Sequence, residues 1–389
     1  MKKFLAIFTI LLSTIASAER FSGINMPTNF NKITGANMLM GFNQVPLSGK
    51  LNDNRLAWSE TYWPSNKGGI AYRWNSKDPQ PFKYKFKTKA QLQKMTLKEM
   101  GELSPAELYD IAQGDYSYNL TRKTLSQFTS NDLWWEGICH GWSLAAANYP
   151  EPSPVIVQNK DGIRVPFGSS DVKGLLAMHD AYNSMGAYTR VGERCNIRGK
   201  VPGEEDPRDG QIPHPTEEEF ESEACRDVNA GAFHVVITNM IGIHSKSFVA
   251  DIDRMNDIWN QPIYSYKSSV LGEEAVSGEH HSQGIERRVR MTTRMVYGEE
   301  LQFYTPERAQ TGMTNFVQKK PVTGTANQAF RHKDYEYILE LDMSGNIVGG
   351  EWISATRPDF LWVKRRDSKF MNSPMPLAGL AAIYRPVKR

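Results

Sequence analysis

Several things are missing from this 389-residue chain, and each absence closes off a class of function. Beyond the amino terminus no apolar run approaches the length needed to cross a bilayer. Charge of one sign is also missing: 46 basic residues face 43 acidic ones, for a formal net charge of +3. Nucleic acid is therefore not expected as a partner. No internal repeat is present, and no oxygen-rich loop has the spacing of a calcium site. His280 and His281 sit in a loop-like stretch with too few further ligands nearby for a metal. The first eighteen residues carry Lys2 and Lys3, an apolar run from Phe4 to Leu12, and Ala16-Ser17-Ala18. That pattern is a cleavable secretory signal peptide. Its two lysines, with no acid beside them, take the formal charge from +3 to +1 when removed. The mature chain reads as an exported protein, secreted or periplasmic.

Cysteine is scarce too, with three residues at 139, 195 and 225. In an oxidising compartment an even pair closes a disulfide and the odd thiol is the reactive candidate. Cys195 and Cys225 flank a segment from Gly199 to Glu223 that is rich in proline, glycine and acids and cannot bury enough apolar surface to order itself. Tying its ends together removes about 3–4 kcal/mol of unfolded-chain entropy. The expected pairing is Cys195 with Cys225, leaving Cys139 free.

What is present centres on Asn131 to Asn148. Trp134 and Trp135 lead through Gly137 to Cys139, and Ser143-Leu144-Ala145-Ala146-Ala147 follows as a run of good helix formers. A loop that delivers a cysteine to the first turn of a helix favours thiolate, the attacking form. Proline at 150 ends that helix. Upstream, Glu19 to Asn75 reads as extended and rich in aromatics, with the Trp58–Pro64 stretch as core. Ser104, Pro105 and Glu107 open a capped helix that stops near Gly114. Downstream, 155–157 and 163–165 form a hairpin. A helix follows over 172–183, capped by Ser170 or Asp171, with His179 as a satisfied interior histidine. Gly231 to Gly242 reads as a central strand carrying His234, and Ser247 to Ile252 as a second strand carrying Asp251. Residues 335–342 and 347–353 form a hairpin about 343–346.

Thiol acyl transfer needs a base and a group that holds the base's tautomer. In order the chain offers Cys139, His234 and Asp251, with Asn260 as the alternative third member. His140, next to the cysteine, is expected to point away from it along the helix. Four stretches then carry a resemblance: Trp259-Asn260-Gln261-Pro262, the run from Trp135 to Trp142, the His234 segment, and Gly349–Trp352 with Arg357–Trp362. Together they resemble the transglutaminase elicitor family of oomycetes. The resemblance implies a protein-glutamine γ-glutamyltransferase with a papain-like core and Cys139, His234 and Asp251 as its triad. After Pro262 the sequence departs from the elicitor peptide, and no glutamine precedes Cys139 to serve an oxyanion hole. The Cys139 backbone N–H with the indole of Trp134 or Trp135 is the expected substitute.

The expected fold is α+β: a papain-like or transglutaminase-like core with a helix-borne cysteine packed on an antiparallel sheet. An extended and helical region over 19–125 precedes the catalytic domain over 126–389. Trp134, Trp135 and Trp259 would line a dry substrate tunnel. The expected reaction uses a protein glutamine as acyl donor and a lysine or other amine as acceptor, in a monomer without a required cofactor. Calcium activation occurs among transglutaminases. The same triad suits a cysteine peptidase or cell-wall amidase, and a buried, inert Cys139 suits a secreted recognition module without catalysis.

Overall fold

Alternating apolar and polar residues in the C-terminal half build one large antiparallel sheet. The computed structural model describes residues 19–52, 55–183, 188–195, 225, 227–254, 258–276, 282, 284–301 and 330–387. The expected signal peptide, the acidic segment 199–223 and the His280–His281 pair lie outside the described residues. The sheet strands are β1 (Glu19–Arg20), β2 (Ser48–Lys50), β5 (Tyr188–Gly192), β6 (Val249–Asp251), β7 (Asn260–Glu274), β8 (Arg287–Gly298), β9 (Phe330–Leu341), β10 (Ile347–Trp352) and β11 (Phe360–Lys364). Their order is β1-β10-β9-β8-β7-β6-β11-β5, with β2 added on β7. A separate hairpin pairs β3 (Val155–Gln158) with β4 (Arg164–Phe167).

The β9–β10 hairpin forms where the alternation placed it. Asp342 Oδ1 accepts the backbone N–H groups of Ser344 and Asn346 at 2.9 and 2.8 Å, and Gly345 takes φ +75° to close the turn. Along β8, Met291 and Met295 point into the core while Arg294 pairs with Asp334 of β9 on the wet face. That exposed pair contributes little to stability.

Helices cover the rest. The helix Pro105–Gln113 starts at a Ser104–Glu107 capping box with proline at its first turn and ends at Gly114, φ +71°. The helix Cys139–Asn148 ends at Tyr149, before Pro150. Beside it lies the helix Ser169–Tyr182, which starts three residues earlier than the sequence suggests: Gly168 precedes it and donates its N–H to Asp171 Oδ2 at 2.7 Å. His179 in this helix is interior but only half satisfied: its Nδ1 lies 2.8 Å from Asp180 Oδ1, while its Nε2, 3.4 Å from Asp367 Oδ2, makes no hydrogen bond among the described residues.

One element differs outright. Residues 231–242, expected as a strand, form the helix Ala230–Ile237 followed by a wider π turn, Thr238–Ile243. Every residue from 230 to 237 is buried, so no polar stripe marks the helical period, and a short apolar run cannot be told from a buried strand by periodicity. Asn229 decides it locally by accepting the N–H groups of Gly231 and Ala232 through its side chain. Gly231 lets this first turn press on β10, since a Cβ there would sit 2.2 Å from the Gly349 carbonyl oxygen.

Two cores result. One joins the helical layer to Trp58, Trp63 and Trp142. The other lies between the sheet and the Ala230–Ile237 helix, around Phe233, Tyr335 and Tyr337. Each fully buried large side chain contributes about 1.5–3 kcal/mol. The expected disulfide is present, Cys195 to Cys225.

Candidate functional site

The start of the Cys139 helix is held from three sides. Ile138 donates its backbone N–H to Tyr62 O at 2.8 Å, and Ser65 donates to Glu136 O at 2.8 Å. Gly137 permits that approach, since a Cβ there would lie 2.4 Å from Tyr62 O. The indole of Trp142 donates to Trp58 O, and the indole of Trp58 donates to Tyr149 O. The aromatic stretch near residue 60 therefore clamps both ends of the helix and is core, as its composition suggests. On the third side Gly141 faces the Ser169–Tyr182 helix so closely that a Cβ would come within 2.1 Å of Ala177 O.

Cys139 is thus the first residue of its helix, and Ile138 before it provides no side-chain cap. It is the one free cysteine. The thiol opens on a cavity of about 500 Å³ whose wall includes His140, Trp135, Trp259, Asn260 and Glu300. The sulfur lies 3.9 Å from the carbonyl oxygen of Ile258. Asn260 lines the same wall, close enough for its side chain to favour the thiolate. Its Oδ1 already accepts the Trp362 indole N–H at 2.7 Å, so what it offers the sulfur is its NH₂.

Asp251 faces Asn260 directly across the β6–β7 ladder. Its Oδ1 accepts the Trp259 backbone N–H at 3.0 Å, and its Oδ2 has no hydrogen-bond partner among the described residues. Both candidates for the third role therefore arrive beside the cysteine. Asp251 holds the backbone of a cavity-lining tryptophan; Asn260 shares the cavity wall with the thiol. Asn260 is a strand residue, not the turn residue that the following Pro262 could suggest.

His234 does not join them. Because its segment is helical, its ring enters the core on the other side, where Nδ1 lies 2.7 Å from Tyr337 Oη and the ring packs near Phe42. It is not among the residues lining the Cys139 cavity. The Cys139–His234–Asp251 arrangement expected from sequence is therefore not assembled. His140, set aside on helical geometry, is on the cavity wall instead. Among the tryptophans, Trp135 and Trp259 line the cavity, whereas Trp134 is 55% exposed, with its carbonyl accepting from Tyr62 Oη.

Burial dominates the electrostatics. It pushes the Cys139 thiol up to about 12, with the charges of Glu300 and Asp251 adding to it and the Asn260 donor and His140 backbone N–H opposing it. Burial lowers His140, helped by the charge of Lys364, so its imidazole is neutral at pH 7. Glu300 is raised to about 8 by burial and by Glu299. Asp251 is raised well above the carboxylate range by burial and then by Asp253 and Asp359. Glu300 escaped the sequence reading because a glutamate in Gly298-Glu299-Glu300 carries no motif.

A family model described as transglutaminase elicitor matches residues 121–381, well over half of the chain. The chain belongs to the transglutaminase elicitor family. The crystal structure of the GP42 transglutaminase from Phytophthora sojae is similar to this family member with a TM-score of 0.60 at 19% identity, covering 94% of this chain and 98% of that one. At that identity the likeness concerns the fold, a mixed helix and antiparallel-sheet architecture. No curated protein matches the chain.

Proposed function

We propose that this chain is an exported protein-glutamine γ-glutamyltransferase that works through a thioester on Cys139 in a papain-like core. The observation that carries the reading is the meeting of the one free thiol, at a helix start, with the Asn260 amide in an aromatic-walled cavity. Family membership supports the same chemistry. His140 replaces His234 as base: it is neutral and shares the cavity. It takes the thiol proton as the sulfur attacks the glutamine carboxamide carbon and returns it to the departing ammonia. The Asn260 NH₂ supports the negative charge that develops at the site, and Asp251 holds the Trp259 wall in place. Trp135 and Trp259 keep water from the thioester, which is what favours an amine over hydrolysis. The Cys195–Cys225 disulfide fits an oxidising compartment. No helix among the described residues is long and apolar enough to cross a membrane.

A second reading, a recognition module without catalysis, is favoured by the thiol pushed up to about 12, which leaves little thiolate at neutral pH. The experiment incubates the chain with a glutamine-containing protein and a fluorescent primary amine, following amine incorporation and ammonia release. Incorporation that disappears in Cys139→Ala supports the transferase. Ammonia without incorporation points to a hydrolase on the same thiol. Neither signal, with a thiol that resists iodoacetamide in the folded chain, leaves the recognition module.

A further inference from the structure

Three acids line the cavity; Asp132 and Glu136 accept the backbone N–H groups of Thr129 and Leu133, and the third, Glu300, is not used by the donor half of the reaction. Glu300 follows the end of β8, and its neighbour Leu301 donates its N–H to Glu60 O at 2.9 Å. Glu60 belongs to a buried group in which Lys173 lies 2.6 Å from Glu151 and 3.9 Å from Glu60. The backbone that carries Glu300 is therefore anchored to a rigid part of the core. Its Oε2 is shielded from water and has no hydrogen-bond partner among the described residues. The residue lines the cavity with Cys139 and lies close enough for its charge to act on the thiol. Arg194, the cation on the same wall, acts on Asp251. A shielded carboxyl oxygen without a partner calls for a donor, and a cationic donor most of all. The rest of the wall suits what would carry that cation. Phe128, Trp135 and Trp259 are apolar surfaces for the methylene stem of an alkylamine, whose charged end then reaches past them.

We infer that Glu300 selects the acyl acceptor, receiving the ammonium end of a primary alkylamine such as a lysine side chain and taking one of its protons. The inference rests on the transferase reading of Cys139. In its ionised form, which gains population as pH approaches 8, the Glu300 carboxylate takes a proton from the ammonium, which becomes a free amine. The nitrogen lone pair attacks the thioester carbonyl carbon, a C–N bond forms, and the carbonyl π pair moves to oxygen. On collapse the C–S bond breaks with its electron pair on sulfur, which takes the second nitrogen proton and is again a thiol. Glu300 releases its proton to solvent.

Hydroxylamine, uncharged at pH 8, separates selection from chemistry. The measured quantity is kcat/KM for cadaverine divided by that for hydroxylamine, with the same glutamine donor. Glu300→Gln is expected to lower this ratio about tenfold or more, the scale of one charge-assisted hydrogen bond. A ratio unchanged in Glu300→Gln, whether both rates hold or both fall together, overturns the assignment. Cadaverine binding to Cys139→Ala, read by calorimetry, gives a second measure that does not need turnover. It should weaken by a similar factor in Cys139→Ala/Glu300→Gln, and equal binding by the two overturns the proposal. Should the parent chain release no ammonia from the donor, the transferase reading fails first; binding that still depends on Glu300 then marks an amine site without the reaction and overturns the catalytic role.

Discussion

At the scale of single residues, the informative contrast is between two histidines. His234 is fully buried, with Nδ1 2.7 Å from Tyr337 Oη, and Tyr337 Oη in turn 2.6 Å from Thr293 Oγ1. Burial depresses its pKa from 6.5 to about 3. A folded-state value below the unfolded one gives stability that is present above pH 6.5 and lost as pH falls through about 3. His234→Gln should therefore cost about 1–3 kcal/mol at neutral pH, by disturbing a buried hydrogen bond. It should also flatten the loss of stability between pH 6.5 and pH 3, measured by denaturant titration across that range. Its alkylation rate at Cys139 should stay near that of the parent, because the ring does not line the cavity. If alkylation instead stops while the fold holds, His234 acts on the thiol after all. Cys139 and the disulfide pair could be read from three positions in the sequence, since export and an odd count leave few arrangements. His140 and Glu300 could not, because nothing in a sequence says which wall of a cavity a side chain belongs to.

At the scale of elements, the Cys139 helix was legible at both ends: a loop with Gly137 before it and Pro150 after it. What it packs on was not. Gly141 sits where a Cβ would come 2.1 Å from Ala177 O and 2.7 Å from Ala181 Cβ, so the two helices touch through a side chain that is absent. Gly141→Ala should therefore destabilise, by about 1–3 kcal/mol, even though alanine is the better helix former. The helix must move away to admit the methyl group, and Cys139 moves with it. The measurement is the thermal midpoint together with the alkylation rate; a midpoint that rises would mean the two helices are not in contact at this glycine. The Ala230–Ile237 helix shows the reverse case. Its apolar, β-branched run favours a strand by composition, and only the Asn229 cap and the enclosure on every side make it a helix.

For the whole molecule, three buried carboxyls act in one direction. Burial raises Asp110 to about 7, and Glu300 and Asp359 to about 8. Folded-state values above the unfolded ones give stability that is full below about pH 4 and is lost as pH rises through 7 to 8. His234 works against stability on the acid side. Three carboxyls outweigh the one histidine, so the thermal midpoint should be highest near pH 4 to 5 and fall as pH rises to about 8. Scanning calorimetry across pH 4 to 9 checks this, and a midpoint still rising at pH 9 would show that these acids are ionised at little cost in the folded chain.

The sequence by itself determined the local pieces: the capped helices, the β9–β10 hairpin, the odd thiol and the four stretches that resemble the family. Each depends on residues close together in the chain, whose turn chemistry and periodicity act over a few positions. Tertiary structure alone decided which residues meet at Cys139. The β6–β7 ladder brings Asn260 and Asp251 there, the end of β8 brings Glu300, and a helix in place of a strand takes His234 elsewhere. Enclosure chose that helix, and the seating of the Cys139 helix against β7, more than a hundred positions away in the chain, chose those neighbours.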